Sequence, residues 1–454
     1  MDGTSTARAL RDDLNAGPRP VLRTREALAI GVGIMVGAGI FRTPSLVAGA
    51  AGSEAVYLLA WLAGGLLSIV GALCYAELAS AYPETGGDYA YLRRAFGARL
   101  AFLYAWARLL VIQTGSIALL AFVVGDYAAE LFGGGADASS LCAAATVVAL
   151  TAINWFGVRH GTTTQNWLTL AEVAGLLLIV GAAVWFAPAL PQLAAPERSG
   201  SAYGLVLVFV LLTYGGWSEA VYVSAEVRNA RRVMPWVLIG SLSAVTALYL
   251  LVNWAYLRVL GLSGVAGAQA VAADAMRAVG GEAGAAVISL FVVIAALTSA
   301  NATLITGARS TYAAGRDFPA LDAIGRWHRA SGCPRRAIVV QGGTALLLVG
   351  LGALARDGFR TAVEYTAPVF WAFLLLVGLA LFVLRRREPH APRPFRVPLY
   401  PLLPLVFVAT SAYLLWSSLA YTGIGALVGV GVLAAGAVLL LFLQPSTRRE
   451  ETVR

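Results

Sequence analysis

Gly31-Val32-Gly33-Ile34-Met35-Val36-Gly37-Ala38-Gly39-Ile40-Phe41-Arg42-Thr43-Pro44 is the stretch on which the fold turns. It sits in an apolar run long enough to cross a bilayer, yet four glycines and a proline crowd it. Each glycine weakens a helix by about 1 kcal/mol relative to alanine, and proline starts a helix more readily than it continues one. The pattern predicts a span that unwinds near residues 37 to 40. Irregular backbone at membrane depth is tolerated only where it lines a cavity or is buried in protein.

Around this stretch the chain is apolar almost throughout. Hydrophobic residues make up 59% of 454 positions and charged residues 13%, about half the charged share of a typical soluble domain. Runs of about 20 apolar residues, enough to cross roughly 30 Å of hydrocarbon, recur along the sequence. They predict helices at 26–50, 55–82, 99–131, 139–157, 163–187, 203–226, 234–260, 284–314, 337–355, 362–385, 399–421 and 424–443. The expected architecture is an all-α integral membrane protein with twelve transmembrane helices: one polytopic membrane domain over 26–443, between polar tails at 1–25 and 444–454. The N-terminal tail has arginines but no apolar core or cleavage site, so it reads as a cytoplasmic tail and not as a signal peptide.

All 33 basic residues are arginine. With the N-terminus inside, 27 of them fall on the inner side and the remaining 6 on the outer, an asymmetry that predicts a multi-pass protein of the cytoplasmic (inner) membrane with both termini cytoplasmic. The net charge of +9 comes from these short loop clusters, which argues for a lipid bilayer and against nucleic acid as a partner. Cys74, Cys142 and Cys333 are scattered and form neither a disulfide framework nor a metal-ligand spacing. His160, His328 and His390 fall in predicted loops, so no catalytic constellation reaches the membrane interior and an enzyme is not expected. No cofactor is expected either.

A second interruption appears in the sixth span, at Thr213-Tyr214-Gly215-Gly216-Trp217-Ser218-Glu219. It falls five spans after the first. Paired glycine-interrupted helices at matching places in two halves are the sequence pointer to an inverted-repeat transporter. Repeat one would cover about 26–187 and repeat two about 203–385, giving a 5+5 inverted repeat with discontinuous helices 1 and 6, and helices 11 and 12 (399–443) as additions. A half-helix start offers N–H groups to a carboxylate, and a half-helix end offers carbonyls to an ammonium. An amino acid has both poles. The competing reading is close helix packing through the Gly33/Gly37 GxxxG pair. The Gly31-x-Gly33 fragment of a dinucleotide fingerprint lacks a preceding strand and is set aside.

In order and spacing, a set of fragments resembles the amino acid-polyamine-organocation (APC) superfamily, in its amino acid permease and L-type amino acid transporter branches. They are Gly37-Ala38-Gly39-Ile40-Phe41 with Pro44, Tyr75-Ala76-Glu77, Tyr82 to Tyr89 with Phe96-Gly97, Tyr214 to Trp217 followed by Glu226 and Pro235, and Asn301 with Arg309 and Gly315-Arg316-Asp317. The resemblance covers almost the whole chain. It implies a secondary active transporter, with the substrate carboxylate on the N–H groups of Ala38 and Gly39 and the amine on the carbonyls of Met35, Leu212 and Gly215. Gly37, Ile40, Tyr214, Ser218 and Glu219 complete the expected substrate site, and Arg42 and Trp217 are the gating candidates. Leu212 stands where L-type members carry a gating aromatic, so the gate is expected to differ. Tyr89 and Glu77 are expected at the cytoplasmic face, Glu77 pairing with a loop arginine.

Two carboxylates lie inside spans: Glu172 in the fifth and Glu219 at the second break. A charged side chain at the centre of a spanning helix costs about 2.5–3.5 kcal/mol on insertion scales, so each needs a cavity or a partner. Many relatives place a lysine at the Glu172 position; this chain has none anywhere. Thr298 and Ser299 match hydroxyls that hold a sodium ion in sodium-coupled transporters of the same fold, with backbone oxygens near Gly33 and Val36. Glu172, Thr298 and Ser299 are therefore expected to form a site for a sodium ion or proton as coupling ion; the alternative is a carboxylate simply hydrogen-bonded to hydroxyls. Glu219 is expected either to be neutralised by Arg42 or a water, or to attract the amine or a cationic side chain. Neutral L-amino acids are the expected substrates, by symport or exchange. A basic amino acid or polyamine carrier is the alternative, and a non-transporting amino acid sensor is the alternative of another class. The sequence assigns no accessory subunit.

Overall fold

The computed structural model of the chain describes residues 17–37, 39–132, 135–186, 203–354 and 358–446. Ala38 and most of the two tails expected at 1–25 and 444–454 lie outside the described residues. The elements in order are α1 (Thr24–Met35), α2 (Gly39–Ala51), α3 (Glu54–Ala81), α4 (Asp88–Phe96), α5 (Ala98–Ala107), a π-helical turn (Arg108–Ile112), α6 (Gln113–Phe132), α7 (Ala136–Phe156) and α8 (Val158–Phe186). There follow α9 (Tyr203–Thr213), a 3-10 segment (Trp217–Glu226), α10 (Ala230–Gly267), α11 (Val271–Asp317), α12 (Arg335–Leu354), α13 (Gly358–Arg387), α14 (Leu402–Thr422) and α15 (Ala426–Leu439). Among the described residues no β-strand forms. A single parallel bridge ties Leu22 to Val227 and so docks the N-terminal segment beside the end of the 3-10 segment.

Ten of these helical stretches are long and apolar enough to cross a membrane. The number is eleven if α1 and α2, which meet at a bend of 43°, count as one span, and the run Gly423–Leu439 adds a shorter apolar helix. Large apolar side chains face outward from these helices, with Trp167, Trp236, Leu347 and Leu427 all more than 60% exposed. Apolar exposure on this scale marks a surface made for lipid. The chain is an all-helical, multi-pass membrane protein.

Each expected span overlaps one of these helices or a run of them, though 399–421 begins before α14 and 424–443 ends beyond α15. Two helices run well past the expected boundaries, because α10 continues through a kink at Gly261 and α11 begins before a kink at Gly281, both glycines at positive φ. The third span is divided by the π-turn at Arg108–Ile112. In the first span the glycines, and not the proline, set the break. Helix α1 stops at Met35 and α2 restarts at Gly39, leaving Pro44 inside α2.

The breaks sit at the centre of the bundle. The α2 helix packs on α9, α3 runs along α10, and α8 runs along α11. At one end of the bundle, α4 and the segments after α11 and α13 are laced by ion pairs. Arg93 bonds Asp317 and Glu84, and Arg94 bonds Glu84 and Glu388. Glu77, 1% exposed, accepts from Arg385 and from the Val397 N–H, so the expected arginine pairing of Glu77 is present. Tyr89 donates to Asp317 at 2.7 Å. Deeper, Arg309 holds Glu226 in a two-bond fork at 2.8 and 2.9 Å, fixing the end of the 3-10 segment to α11.

Candidate functional site between two helix breaks

The α1 helix ends where Gly37 N–H bonds the Met35 carbonyl, two residues back, instead of continuing the helical ladder. The α9 helix ends in a turn that closes Gly215 N–H onto the Leu212 carbonyl, followed by Gly216 in the left-handed region (φ 91). The two breaks touch. A Cβ on Gly216 would stand 3.0 Å from the Ile34 carbonyl, and one on Gly39 would stand 3.1–3.5 Å from Thr213. Only glycine combines the positive φ at 216 with that approach.

Tyr249 of α10 bridges both. Its buried hydroxyl donates to the Met35 carbonyl at 2.7 Å, with the Thr213 carbonyl 3.3 Å away as alternative acceptor. It belongs to a buried aromatic group with Trp61 and Tyr214. Nothing in the local sequence marks Tyr249, since it is one aromatic residue in an apolar span.

A cavity of about 360 Å³ opens at the breaks. Met35, Gly37, Gly39, Leu212, Gly215 and Glu219 line it, joined by Ser299, Gln113 and Thr303. It extends along Leu119, Phe209 and Trp371 toward the end of the bundle opposite the ion-pair network. Ile40, Tyr214 and Ser218 are buried behind its wall and do not line it. Ala38 lies outside the described residues.

Several expectations change on this geometry. The Met35 carbonyl already receives the Tyr249 hydroxyl and the Gly37 N–H, and the Leu212 carbonyl receives Gly215 N–H, so neither is simply waiting for an amine. Arg42 is exposed and does not pair with Glu219. The partner of Glu219 is Arg108, missed by sequence reading because it stands 111 residues away in a span read as apolar. Gln113 adds a bond to the same carboxylate at 3.1 Å. Trp217 packs edge-on against Tyr75 and Phe407, away from the cavity lining.

Gly33 is a packing glycine. A Cβ there would come within 2.4–2.5 Å of Thr169, Gln165 and Thr298, so for this member of the GxxxG pair the packing reading holds. Its carbonyl also accepts the Ser299 hydroxyl at 3.0 Å. Val36 is fully buried. Thr298 turns its hydroxyl back to Ile294 of its own helix at 2.7 Å. Glu172, 1% exposed, has no hydrogen-bond partner for either oxygen among the described residues. The alternative reading, Glu172 hydrogen-bonded to the hydroxyls of Thr298 and Ser299, is therefore not formed: the hydroxyls bond backbone carbonyls, and neither Glu172 oxygen has a partner among the described residues. Among the described residues, no group of three or more His, Cys, Asp or Glu side chains is placed to hold a metal ion.

Known proteins are similar in sequence to this chain along most of its length. The serine/threonine exchanger SteT of Bacillus subtilis (strain 168) is 27% identical over 87% of this chain and 90% of its own length. The b(0,+)-type amino acid transporter 1 of Mus musculus is 30% identical over 86% of this chain and 80% of its own. The large neutral amino acids transporter small subunit 2 of Homo sapiens is 29% identical over 88% and 76%. These relatives are transporters, not enzymes. Residues 22–442 match the family described as amino acid permease, and the chain belongs to that family, within the amino acid-polyamine-organocation superfamily.

Proposed function

We propose that the chain is a secondary transporter that exchanges neutral L-amino acids across the cytoplasmic membrane by alternating access, binding them in the cavity between the two breaks. The observation that carries this reading is the meeting of both breaks at one cavity. The α2 start lends the N–H of Gly39, at the cavity wall, to a carboxylate. Gly215 also lines the cavity, and its carbonyl is the group this reading assigns to the ammonium. The relatives' names supply the class: one is a serine/threonine exchanger, and the others carry amino acids.

On this reading the bent pair α1–α2 and the short run Gly423–Leu439 both cross the bilayer, giving twelve spans with both termini on the arginine-rich, cytoplasmic side. The packing supports a 5+5 inverted repeat over about 26–187 and 203–385. Each of the first four spans packs on the span five later: α2 on α9, α3 on α10, α6 on α11 and α7 on α12. The cavity then faces outward, and the ion-pair network closes the cytoplasmic side. Glu172, unpaired at membrane depth, is accompanied by a proton or cation, because an isolated charge there is costly.

Purified protein in liposomes preloaded with L-serine should take up labelled L-serine at least tenfold faster than empty liposomes. Imposing sodium and pH gradients separately, in wild type and Glu172→Gln, identifies the companion ion. Saturable binding without flux would make the protein a sensor and overturn the proposal.

A further inference from the structure

Arg108 is 2% exposed and stands on the π-turn of the third span. Its guanidinium donates to Glu219 Oε2 and to the Tyr104 hydroxyl at 3.1 Å, and lies 3.8 Å over the ring of Tyr222. Gln113, held also near Thr306 at 3.3 Å, donates to the same Oε2. Both donors thus converge on one oxygen. Glu219 Oε1 accepts no hydrogen bond among the described residues, and Glu219 lines the cavity. The wall carries a polar acceptor whose charge is already balanced from behind.

We propose that Arg108 is a positioning residue that sets the side-chain selectivity of the cavity, by cancelling the charge of Glu219 while leaving Oε1 free to accept. The subsite this makes takes a neutral side chain bearing a hydrogen-bond donor, a hydroxyl or an amide. An apolar side chain of the same shape leaves Oε1 stripped of water and unpaired, which a site built to hydrogen-bond penalises strongly. A cationic side chain meets a carboxylate already engaged in an ion pair, and adds a positive charge near a buried guanidinium.

This inference rests on the proposed transport reading, and competition against labelled L-serine exchange in liposomes separates the two. For wild type, threonine should compete about tenfold or more better than isosteric valine, and lysine should compete poorly. In Arg108→Gln the carboxylate loses its counter-charge, and the ratio of lysine to threonine competition should rise at least tenfold. A merely structural arginine would lower both together. If Arg108→Gln fails to fold, the double variant Arg108→Leu/Glu219→Leu, which removes both members of the ion pair, reads the same claim: threonine and valine should compete within about twofold. Equal competition by threonine and valine in wild type, an unchanged lysine-to-threonine ratio in Arg108→Gln, or a persistent threonine preference in the double variant overturns the inference. Absence of flux and of binding for every amino acid overturns the transport reading instead.

Discussion

Gly216 and Tyr249 carry the site by opposite means, one through the lack of a side chain and the other through a single hydroxyl. At Gly216, alanine would suffer left-handed strain of about 1–2 kcal/mol and bring its Cβ to 3.0 Å from the Ile34 carbonyl. Gly97 has a similar φ of 94 but a ψ of 168, a region closed to side chains more strictly still, with nothing within 4 Å. Gly216→Ala should cut serine exchange more than tenfold, whereas Gly97→Ala should lose at least as much thermal stability and keep exchange within about twofold. Parallel thermal-shift and uptake measurements check the pair, and equal uptake loss in both would show that the contact with Ile34 does not matter. Tyr249→Phe removes the donor that ties Met35 to α10. It should lower stability by about 1 kcal/mol and raise the KM for serine roughly tenfold, a split that uptake kinetics would expose. The sequence disclosed Gly216 and concealed Tyr249 for one physical reason. A glycine pair in an apolar run is a local signal, but the acceptor of a hydroxyl 36 residues further on depends on how whole helices pack.

At the scale of elements, α4 and the π-turn form one polar assembly beneath the cavity. Asp88, at the first position of α4 outside the spans, is buried with Oδ2 accepting from Tyr104 at 3.1 Å and Oδ1 without a partner among the described residues. Burial pushes its carboxyl up to about 6, only partly offset by the positive charge of Arg108. The fold therefore prefers the neutral acid. That contribution is complete below the ordinary aspartate range and is lost as pH rises through about 6, which amounts to up to about 3 kcal/mol. Asp88→Asn, neutral at every pH, should raise the thermal midpoint relative to wild type at pH 7.5, keep about half of that advantage near pH 5 and lose the rest below the ordinary aspartate range. An equal shift at both pH values would contradict the burial of an ionisable acid. The broken elements themselves were legible in the sequence because glycine-rich stretches recur at matching places five spans apart; a glycine pair alone does not break a helix, since Gly64-Gly65 and Gly342-Gly343 lie inside α3 and α12. The pairing of Arg108 with Glu219 was not, because it joins two spans far apart in the chain, each with a charge that reads alone as an anomaly.

For the whole molecule, two opposed features define one state. Ion pairs among Glu77, Arg385, Arg93, Arg94, Asp317 and Glu388 lock the end that carries α4, and the cavity runs from the breaks toward the other end. The membrane class follows from composition, because 59% hydrophobic residues leave no water-soluble solution. The cavity depends on tertiary packing that composition does not encode. The central claim is that an amino acid occupies the space between the two breaks. Leu212 borders that space and is 44% exposed, while Cys74 and Cys333 are buried, so a Leu212→Cys protein with Cys142 replaced by serine presents one reactive thiol in the cavity. The most direct measurement is the rate at which a membrane-impermeant maleimide labels that thiol as L-serine is added. The account predicts that labelling slows at least fivefold, along a saturation curve that tracks the KM for uptake; a rate unchanged at serine concentrations that saturate uptake would contradict it.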